Sequence, residues 1–174
     1  MKSSDITVRR LTPDDAAAYR ALRLRGLKEH PDAFTSGYGE EAAKPLSVTE
    51  ARLAPEADGR MSGGFVDGAP VGAIGLLREP RVKIRHKGDV FGMYVVRERA
   101  GQGVGAALLS RLIGESRREP GLTQLVLTVT ETNVAARKLY EKFGFRSFGI
   151  EPRAIRVGDT YYDKNHMIHF LAQP

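Results

Sequence analysis

The chain has 174 residues, of which 41% are hydrophobic and 28% charged, so we expect one soluble globular domain over residues 1–174. It has no cysteine, no apolar run of membrane-spanning length and no signal-peptide pattern at its polar start, so we expect a cytoplasmic protein without disulfides. The net charge of +6 suits an anionic small ligand better than nucleic acid, because Lys and Arg are not clustered and Trp is absent.

The first half of the chain predicts a strand, two helices and a hairpin. A strand over residues 6–11 precedes a helix that starts at Pro13 and ends at His30, because the residue before a proline avoids the helical region. Residues 31–41 are rich in turn formers and predict a loop, and a short helix follows near residues 48–53. Strands over residues 64–67 and 71–77 predict a hairpin with its turn at residues 68–70.

The second half alternates strands and helices. A strand over residues 90–96 leads to a helix that begins at Val104, and a strand over residues 125–129 leads to a helix that begins at Asn133. Two final strands, residues 147–157 and 161–171, flank a turn at Gly158-Asp159. This order of elements predicts a single α/β domain with a mixed sheet.

The most informative segment is DVFGMYVVRERAGQGVGAALL, residues 89–109, in which three glycines at alternate positions join a strand to a helix. A glycine turn at a helix N-terminus presents backbone N–H groups that suit a phosphate. The first turn of this helix has no Asp or Glu, and Arg97 and Arg99 precede it. The pattern therefore predicts a site for an external anion.

Other interpretations of the glycines remain open from the residues alone. A dinucleotide fingerprint would need a third glycine where Ala106 stands, with Glu131 as the ribose acid, and it would normally follow the first strand. A P-loop is excluded because no G-K-[ST] follows. The glycines could also serve only close packing of helix and sheet.

Three further residues attract attention near this segment. Asn133 and Tyr140 are seven apart and lie on one side of the predicted helix, although each alone is typical of a helix cap and a core aromatic. Gly92, inside its strand, indicates a bulge or a close backbone approach, or only a packing bend.

Taken together, these motifs resemble those of the GNAT superfamily of N-acetyltransferases. The pyrophosphate turn of that family, [QR]-x-x-G-x-[GA], aligns with residues 100–105, and TETNVAARKLYEKFGF resembles its second cofactor motif. The resemblance implies a mixed, mostly antiparallel sheet of about seven strands, with a V-shaped splay between strands 4 and 5 and about four flanking helices. One departure is Ala100, which stands where the family usually has Gln or Arg.

The resemblance also implies acetyl-CoA as the acetyl donor and a primary amine as the acceptor. The pyrophosphate is expected on the glycine turn, the pantetheine along the fourth strand, and the hydroxyl of Tyr140, the expected catalytic residue, near the sulfur. The residues expected to bind the cofactor are Tyr94, Val95, Val96, Ala100, Gly101, Gln102, Gly103, Val104, Gly105, Ala106, Asn133 and Tyr140. A non-catalytic CoA-binding module and a nucleotide-dependent oxidoreductase are the alternatives.

The acceptor side of the reaction is less defined by the sequence. Candidates for the base that deprotonates the amine are Glu40, Glu41, His86, Asp89 and Asp163. Residues expected at the acceptor entrance are Phe34, Tyr38, Glu40, Glu41, Tyr161 and Tyr162. We expect a small-molecule or peptide amine as acceptor, no metal (His166 and His169 would face opposite sides of a strand), no nucleic acid or membrane partner, and possible homodimers.

Overall fold

The computed structural model describes residues 5–171, which form one seven-stranded sheet and five α-helices. The strands are β1 (Ile6–Arg10), β2 (Gly59–Val66), β3 (Ala69–Arg78), β4 (Lys87–Val95), β5 (Gln124–Thr130), β6 (Arg146–Val157) and β7 (Thr160–Phe170). The helices are α1 (Ala16–Glu29), α2 (Tyr38–Ala43), α3 (Leu46–Leu53), α4 (Val104–Ser116) and α5 (Val134–Lys142). No helix of the described residues is long and apolar enough to cross a membrane.

The sheet is mixed and mostly antiparallel, as predicted. Its strand order is β1-β2-β3-β4-β5-β7-β6, and β4 and β5 form the single parallel pair among the described strands. That parallel ladder is short: it joins Lys87–Asp89 of β4 to residues 124–126 of β5 and then stops. The sheet is therefore open at its centre, between the carboxyl-terminal parts of the two strands.

Helices cover both faces of the sheet. Met93 and Tyr94 are consecutive residues of β4, so their side chains point to opposite faces. The side chain of Met93 approaches Gly105 at the start of α4, whereas the ring of Tyr94 packs on Gly26 of α1. Helices α1 and α4 consequently lie on opposite faces, and both have one end beside the central opening.

The core on the α4 side is apolar and tightly packed. Leu108 and Leu109 of α4 and Ile74 of β3 are fully buried. Val104 and Leu108 lie directly over Gly64 and Gly72, where a Cβ atom would come within 3.1–3.6 Å of their side chains. This close approach fixes the start of α4, and with it the glycine turn, on the sheet.

Two local predictions differ from the structure. Residues 38–41, expected in a loop, belong to α2, because Glu40 accepts a hydrogen bond from the backbone N–H of Gly37 and Glu41 is buried against Lys44 and Arg52. The hairpin turn consists of Asp67 and Gly68, both with positive φ, rather than residues 68–70. Positive φ at two successive positions is the geometry of a two-residue hairpin turn, so β3 begins at Ala69.

Candidate active site

A cavity of about 580 Å³ occupies the opening between β4 and β5. Its walls are residues 90–95 of β4, residues 127–130 of β5 and one side of α5. One end of the cavity is the glycine turn before α4, and the other is the α1–α2 loop, residues 30–37, through His30, Ala33 and Phe34. Because α4 and α1 lie on opposite faces of the sheet, the cavity runs between the strands from the α4 face to the α1 face.

The glycine turn carries a row of unpaired backbone N–H groups. Gly101 and Gly103 have φ values of 73° and 90°, a left-handed conformation that glycine adopts without strain. Among the described residues, no backbone acceptor is found for the N–H groups of residues 101 and 103–106, whereas the N–H of Ala107 donates to the carbonyl of Gly103 at 2.9 Å. The first turn of α4 contains no acidic side chain. This is the arrangement that binds a phosphate or diphosphate at a helix N-terminus.

One cationic side chain lies at this end of the cavity. Arg99 lines the cavity and donates to the side-chain carbonyl of Gln102 at 3.3 Å. Gln102 does not line the cavity, because its amide donates to the carbonyl of Glu98 at 2.9 Å. Ala100 also lines the cavity but has no polar side-chain group. The side chain available to an anion at this end is therefore that of Arg99.

A bulge, one of the interpretations that the sequence leaves open for Gly92, is present in β4. Gly92 has a φ of 61°, and two residues of β4, Gly92 and Met93, stand opposite Ile74 of β3 where the register shifts. Beyond Asp89, β4 has no pairing with β5, so the backbone groups of β4 that point away from β3 face the cavity without a strand partner. This edge can hydrogen-bond to an extended, amide-containing ligand.

Tyr140 lies on α5 with its ring buried and its hydroxyl at the cavity. Its ring packs edge-on against Phe145 at 5.9 Å between centroids, and its hydroxyl donates to the sulfur of Met93 at 3.4 Å. Burial raises the pKa of Tyr140 to about 12. The side chain therefore stays protonated at neutral pH and, apart from the weak sulfur acceptor, is available to donate to a ligand.

Asn133 combines a structural role with a position on the cavity. Its side-chain oxygen accepts a hydrogen bond from the N–H of Ala136 at 3.2 Å, which caps the N-terminus of α5. Asn133 also lines the cavity, on the same side of α5 as Tyr140. Its amide nitrogen is free to face a ligand while the oxygen caps the helix.

The remaining residues predicted to bind the cofactor divide between cavity and core. Tyr94 and Val95 line the cavity, and the hydroxyl of Tyr94 donates to Glu29 at 2.8 Å. Val96 does not line the cavity, since its N–H donates to the carbonyl of Val71 and its side chain is buried. The side chain of Val104 is buried under the sheet, so only its backbone N–H is available.

The five residues considered as the base lie outside the described lining of the cavity: Glu40, Glu41, His86, Asp89 and Asp163. Glu41 shows why. Burial raises its pKa, but the hydrogen bond from Lys44 and the charge of Arg52 outweigh burial, so its pKa lies below its ordinary value and it is held in an ion pair. Of the expected entrance residues, Phe34 lines the cavity and Tyr38, Tyr161 and Tyr162 do not.

Sequence reasoning missed His30, which lines the cavity opposite the glycine turn. Its imidazole lies 6.1 Å from the ring of Tyr94 between centroids, and no carboxylate is among the described residues that line the cavity. In the sequence, His30 has only the signature of a helix end before Pro31. The contact with Tyr94 is tertiary, and no local pattern predicts it.

Comparisons with known proteins agree with this geometry. Residues 25–145 match the Acetyltransferase (GNAT) family. An acetyltransferase of the GNAT family from Streptococcus pneumoniae is 26% identical, with a TM-score of 0.85 over 97% of this chain and 100% of that one. The yncA protein of Salmonella typhimurium, solved with its cofactor acetyl-CoA, is 23% identical, with a TM-score of 0.79 over 98% and 96% of the two chains. The ribosomal-protein-S18-alanine N-acetyltransferase of Escherichia coli is 20% identical, with a TM-score of 0.72 over 98% and 96%.

The family match covers more than half of the chain, and the solved neighbours share its fold almost from end to end. The strand order, the parallel pair β4–β5 and the glycine turn before α4 supply the structural side of the same assignment. The chain belongs to the GNAT family of acetyltransferases and is an acyltransferase.

Proposed function

We propose that this enzyme transfers the acetyl group of acetyl-CoA to the nitrogen of a primary amine. The observation that carries the proposal is the shape of the central cavity. It has unpaired N–H groups at one end, a protonated tyrosine in its wall and an imidazole at the other end. These are the groups needed to bind a diphosphate, to donate a proton and to accept one.

The chain fits CoA at the glycine turn. The N–H groups of Gly101 and residues 103–106 would hold the diphosphate, with Arg99 as the cationic side chain beside it. The free edge of β4 at Tyr94 and Val95 would accept and donate hydrogen bonds along the pantetheine arm. Asn133, with its amide nitrogen free, lies across the cavity from this edge.

When bound, acetyl-CoA supplies a thioester carbonyl that an amine nitrogen can attack with release of the CoA thiol. Tyr140 donates a hydrogen bond toward the sulfur and completes proton transfer as the thiol forms. Because the pKa of Tyr140 is about 12, well above that of a thiol, transfer of its proton to the departing thiolate is uphill, and Tyr140 recovers from solvent the proton that it gives to the thiol. Much of the acceleration then comes from holding the two reactants together.

His30 takes the proton that the amine must lose. Imidazole is the side chain that exchanges protons near neutral pH, and His30 is at the cavity end away from the diphosphate site. The acceptor enters at this end, where Phe34 offers apolar surface. We therefore propose a small-molecule or peptide amine that reaches the cavity past the α1–α2 loop.

A screen of amine classes tests the proposal. The protein is incubated with acetyl-CoA and, in turn, spermidine, kanamycin, L-methionine, an alanine-initiated peptide and a lysine-containing peptide, and free thiol is measured together with acetylated product. We expect one class to give thiol release well above the rate without amine, with stoichiometric N-acetyl product. Thiol release that no amine accelerates would contradict the proposal.

A further inference from the structure

A buried lysine lies directly behind the acceptor end of the cavity. Lys164 of β7 pairs with Thr130 of β5 in the antiparallel ladder, and the two side chains are 4% and 2% exposed. Thr130 lines the cavity and Lys164 does not. No salt bridge to Lys164 is found among residues 5–171. Burial of an ammonium group without a contacting carboxylate costs free energy, so other groups must stabilise Lys164.

Those partners form a hydrogen-bond chain that ends on the α1–α2 loop. The Nζ atom of Lys164 donates to the carbonyl of Ala33 at 2.9 Å and to the hydroxyl of Thr130 at 2.9 Å. The hydroxyl of Thr130 donates in turn to the carbonyl of Asp32 at 2.6 Å. Among the described residues, no backbone N–H donates to the carbonyl of Asp32 or to that of Ala33. Both loop carbonyls therefore depend on these two side chains.

The chemistry of the partners requires a donor at position 164. Two carbonyl oxygens can only accept, and one hydroxyl donates to only one of them, so the remaining acceptors need a group with several N–H bonds. An ammonium supplies three. The pKa of Lys164 is lowered because burial outweighs the charges of Asp32 and Glu151, which act in the opposite direction.

The loop held in this way forms the acceptor end of the proposed active site. His30 and Phe34 flank the tethered residues Asp32 and Ala33, and both line the cavity. On the basis of the proposed function, we propose that Lys164 is a positioning residue: through Thr130 and the carbonyls of Asp32 and Ala33, it holds His30 and Phe34 where the amine binds. Within residues 5–171, no hydrogen bond joins the glycine turn to this chain of bonds.

Four variants separate positioning from general stability. Thr130→Val keeps the shape of the side chain but removes the hydroxyl, and Thr130→Ser keeps the hydroxyl. Lys164→Met removes the ammonium from behind the cavity wall. Lys138→Met, on the exposed side of α5, is the matched control for loss of one lysine charge. Thermal melting and CoA titration of each variant establish that it is folded.

Steady-state kinetics use the panel amine with the highest kcat/KM in the wild type, and hydrogen exchange follows the peptide that contains residues 31–37. For Thr130→Val and Lys164→Met, we expect KM for the amine to rise at least fivefold, KM for acetyl-CoA to stay within twofold, and loop amides to exchange faster. Thr130→Ser and Lys138→Met should behave like the wild type. Folded variants with an unchanged amine KM, or with both KM values raised together, would overturn the positioning role. If the wild type acetylates no panel amine, the proposed function itself fails, and that failure is seen without any variant.

Discussion

His30 ends α1, and its backbone N–H donates to the carbonyl of Gly26 at 2.9 Å, as in many helix termini. Its imidazole has a second role if it accepts the proton of the amine. We expect His30→Gln to lower kcat/KM for the amine about 100-fold at neutral pH, because general-base catalysis contributes at least about that factor. Steady-state kinetics at neutral pH, with an amine that the enzyme acetylates, measure this loss.

His86→Gln is the control for His30→Gln. His86 directly precedes β4, outside the cavity lining, and we expect its variant to keep the wild-type kcat/KM. A wild-type kcat/KM in His30→Gln, or an equal loss in His86→Gln, would remove His30 from the mechanism.

Tyr140 is tested by removal of its hydroxyl alone. Tyr140→Phe keeps the ring packed on Phe145 and loses only a weak hydrogen bond to Met93, so the free energy of unfolding should change by less than about 1 kcal/mol. We expect kcat to fall about 100-fold or more while KM for acetyl-CoA stays within about twofold. Tyr161→Phe, half-exposed and outside the cavity, should leave both constants unchanged. Full turnover in Tyr140→Phe would rule out the donor role.

At the level of secondary-structure elements, a pH-sensitive ion pair between Arg9 and Asp15 holds the start of α1 against β1. Asp15 accepts two hydrogen bonds of 2.8 Å from Arg9 of β1 and one of 2.9 Å from the N–H of Thr12. The hydrogen bond from Arg9 is the main reason that the pKa of Asp15 falls to about 2. A carboxyl group whose pKa is lower in the folded than in the unfolded state stabilises the fold at pH values above the unfolded pKa, near 4. That contribution is lost as the pH falls toward 2.

Asp15→Asn should therefore destabilise the protein at neutral pH but not in acid. Because Arg9 is partly exposed, we expect a loss of about 1 kcal/mol in the free energy of unfolding at pH 7. Denaturant titrations between pH 7 and pH 2 measure it. The difference between wild type and variant should shrink below pH 4, and a difference that is constant over this range would contradict the ion-pair explanation.

The first turn of α4 closes one corner of the cavity, and its size is set by a glycine. A Cβ atom at Gly105 would lie 3.1 Å from the side chains of both Leu139 and Met93. We expect Gly105→Val to fill this corner and weaken CoA binding at least tenfold in calorimetric titration. Gly114→Ala, on the same helix with open space around it, should leave CoA affinity unchanged and add about 1 kcal/mol of stability. Equal CoA affinity in both variants would contradict the assignment of the cavity.

The α1–α2 region shows where local sequence patterns stop being informative. Residues 31–41 carry two glycines, a proline and a serine, all turn formers, yet α2 forms there. Besides the local contacts of Glu40 and Glu41, α2 is stabilised from distant positions: Arg52 pairs with Glu41, and Arg20 donates to the carbonyls of Ala42 and Lys44. In contrast, the glycine turn and α5 are defined by neighbours in sequence, and both were predicted with their residues.

At the scale of the whole molecule, CoA should stabilise the fold. A ligand at 100 times its Kd adds about 2.7 kcal/mol, which for a chain of this size raises Tm by about 5–10 °C. We expect this shift with CoA in a thermal melt, and a much smaller one with NADH at the same concentration. Equal shifts would show that the glycine turn binds diphosphate ligands in general and would contradict a site specific for CoA.

The order of strands and helices predicts a single α/β domain with a mixed sheet, and the number of strands and the opening between the fourth and fifth were predictable only through the family resemblance. The mixed seven-stranded sheet and the parallel pair β4–β5 agree with the resemblance. What the sequence alone did not contain is the arrangement at the acceptor end. Asp32 and Thr130 are 98 residues apart and Ala33 and Lys164 are 131 apart, and only the completed sheet brings them into contact beside His30.

The short ladder between β4 and β5 has a consequence for engineering. Each additional pair of residues joined across that opening would add hydrogen bonds and burial to the weakest seam of the sheet. The same pairs would close the passage in which catalysis is expected to take place. Thermostable variants of this enzyme should therefore come from changes elsewhere, because added pairing between β4 and β5 would raise stability but lower activity.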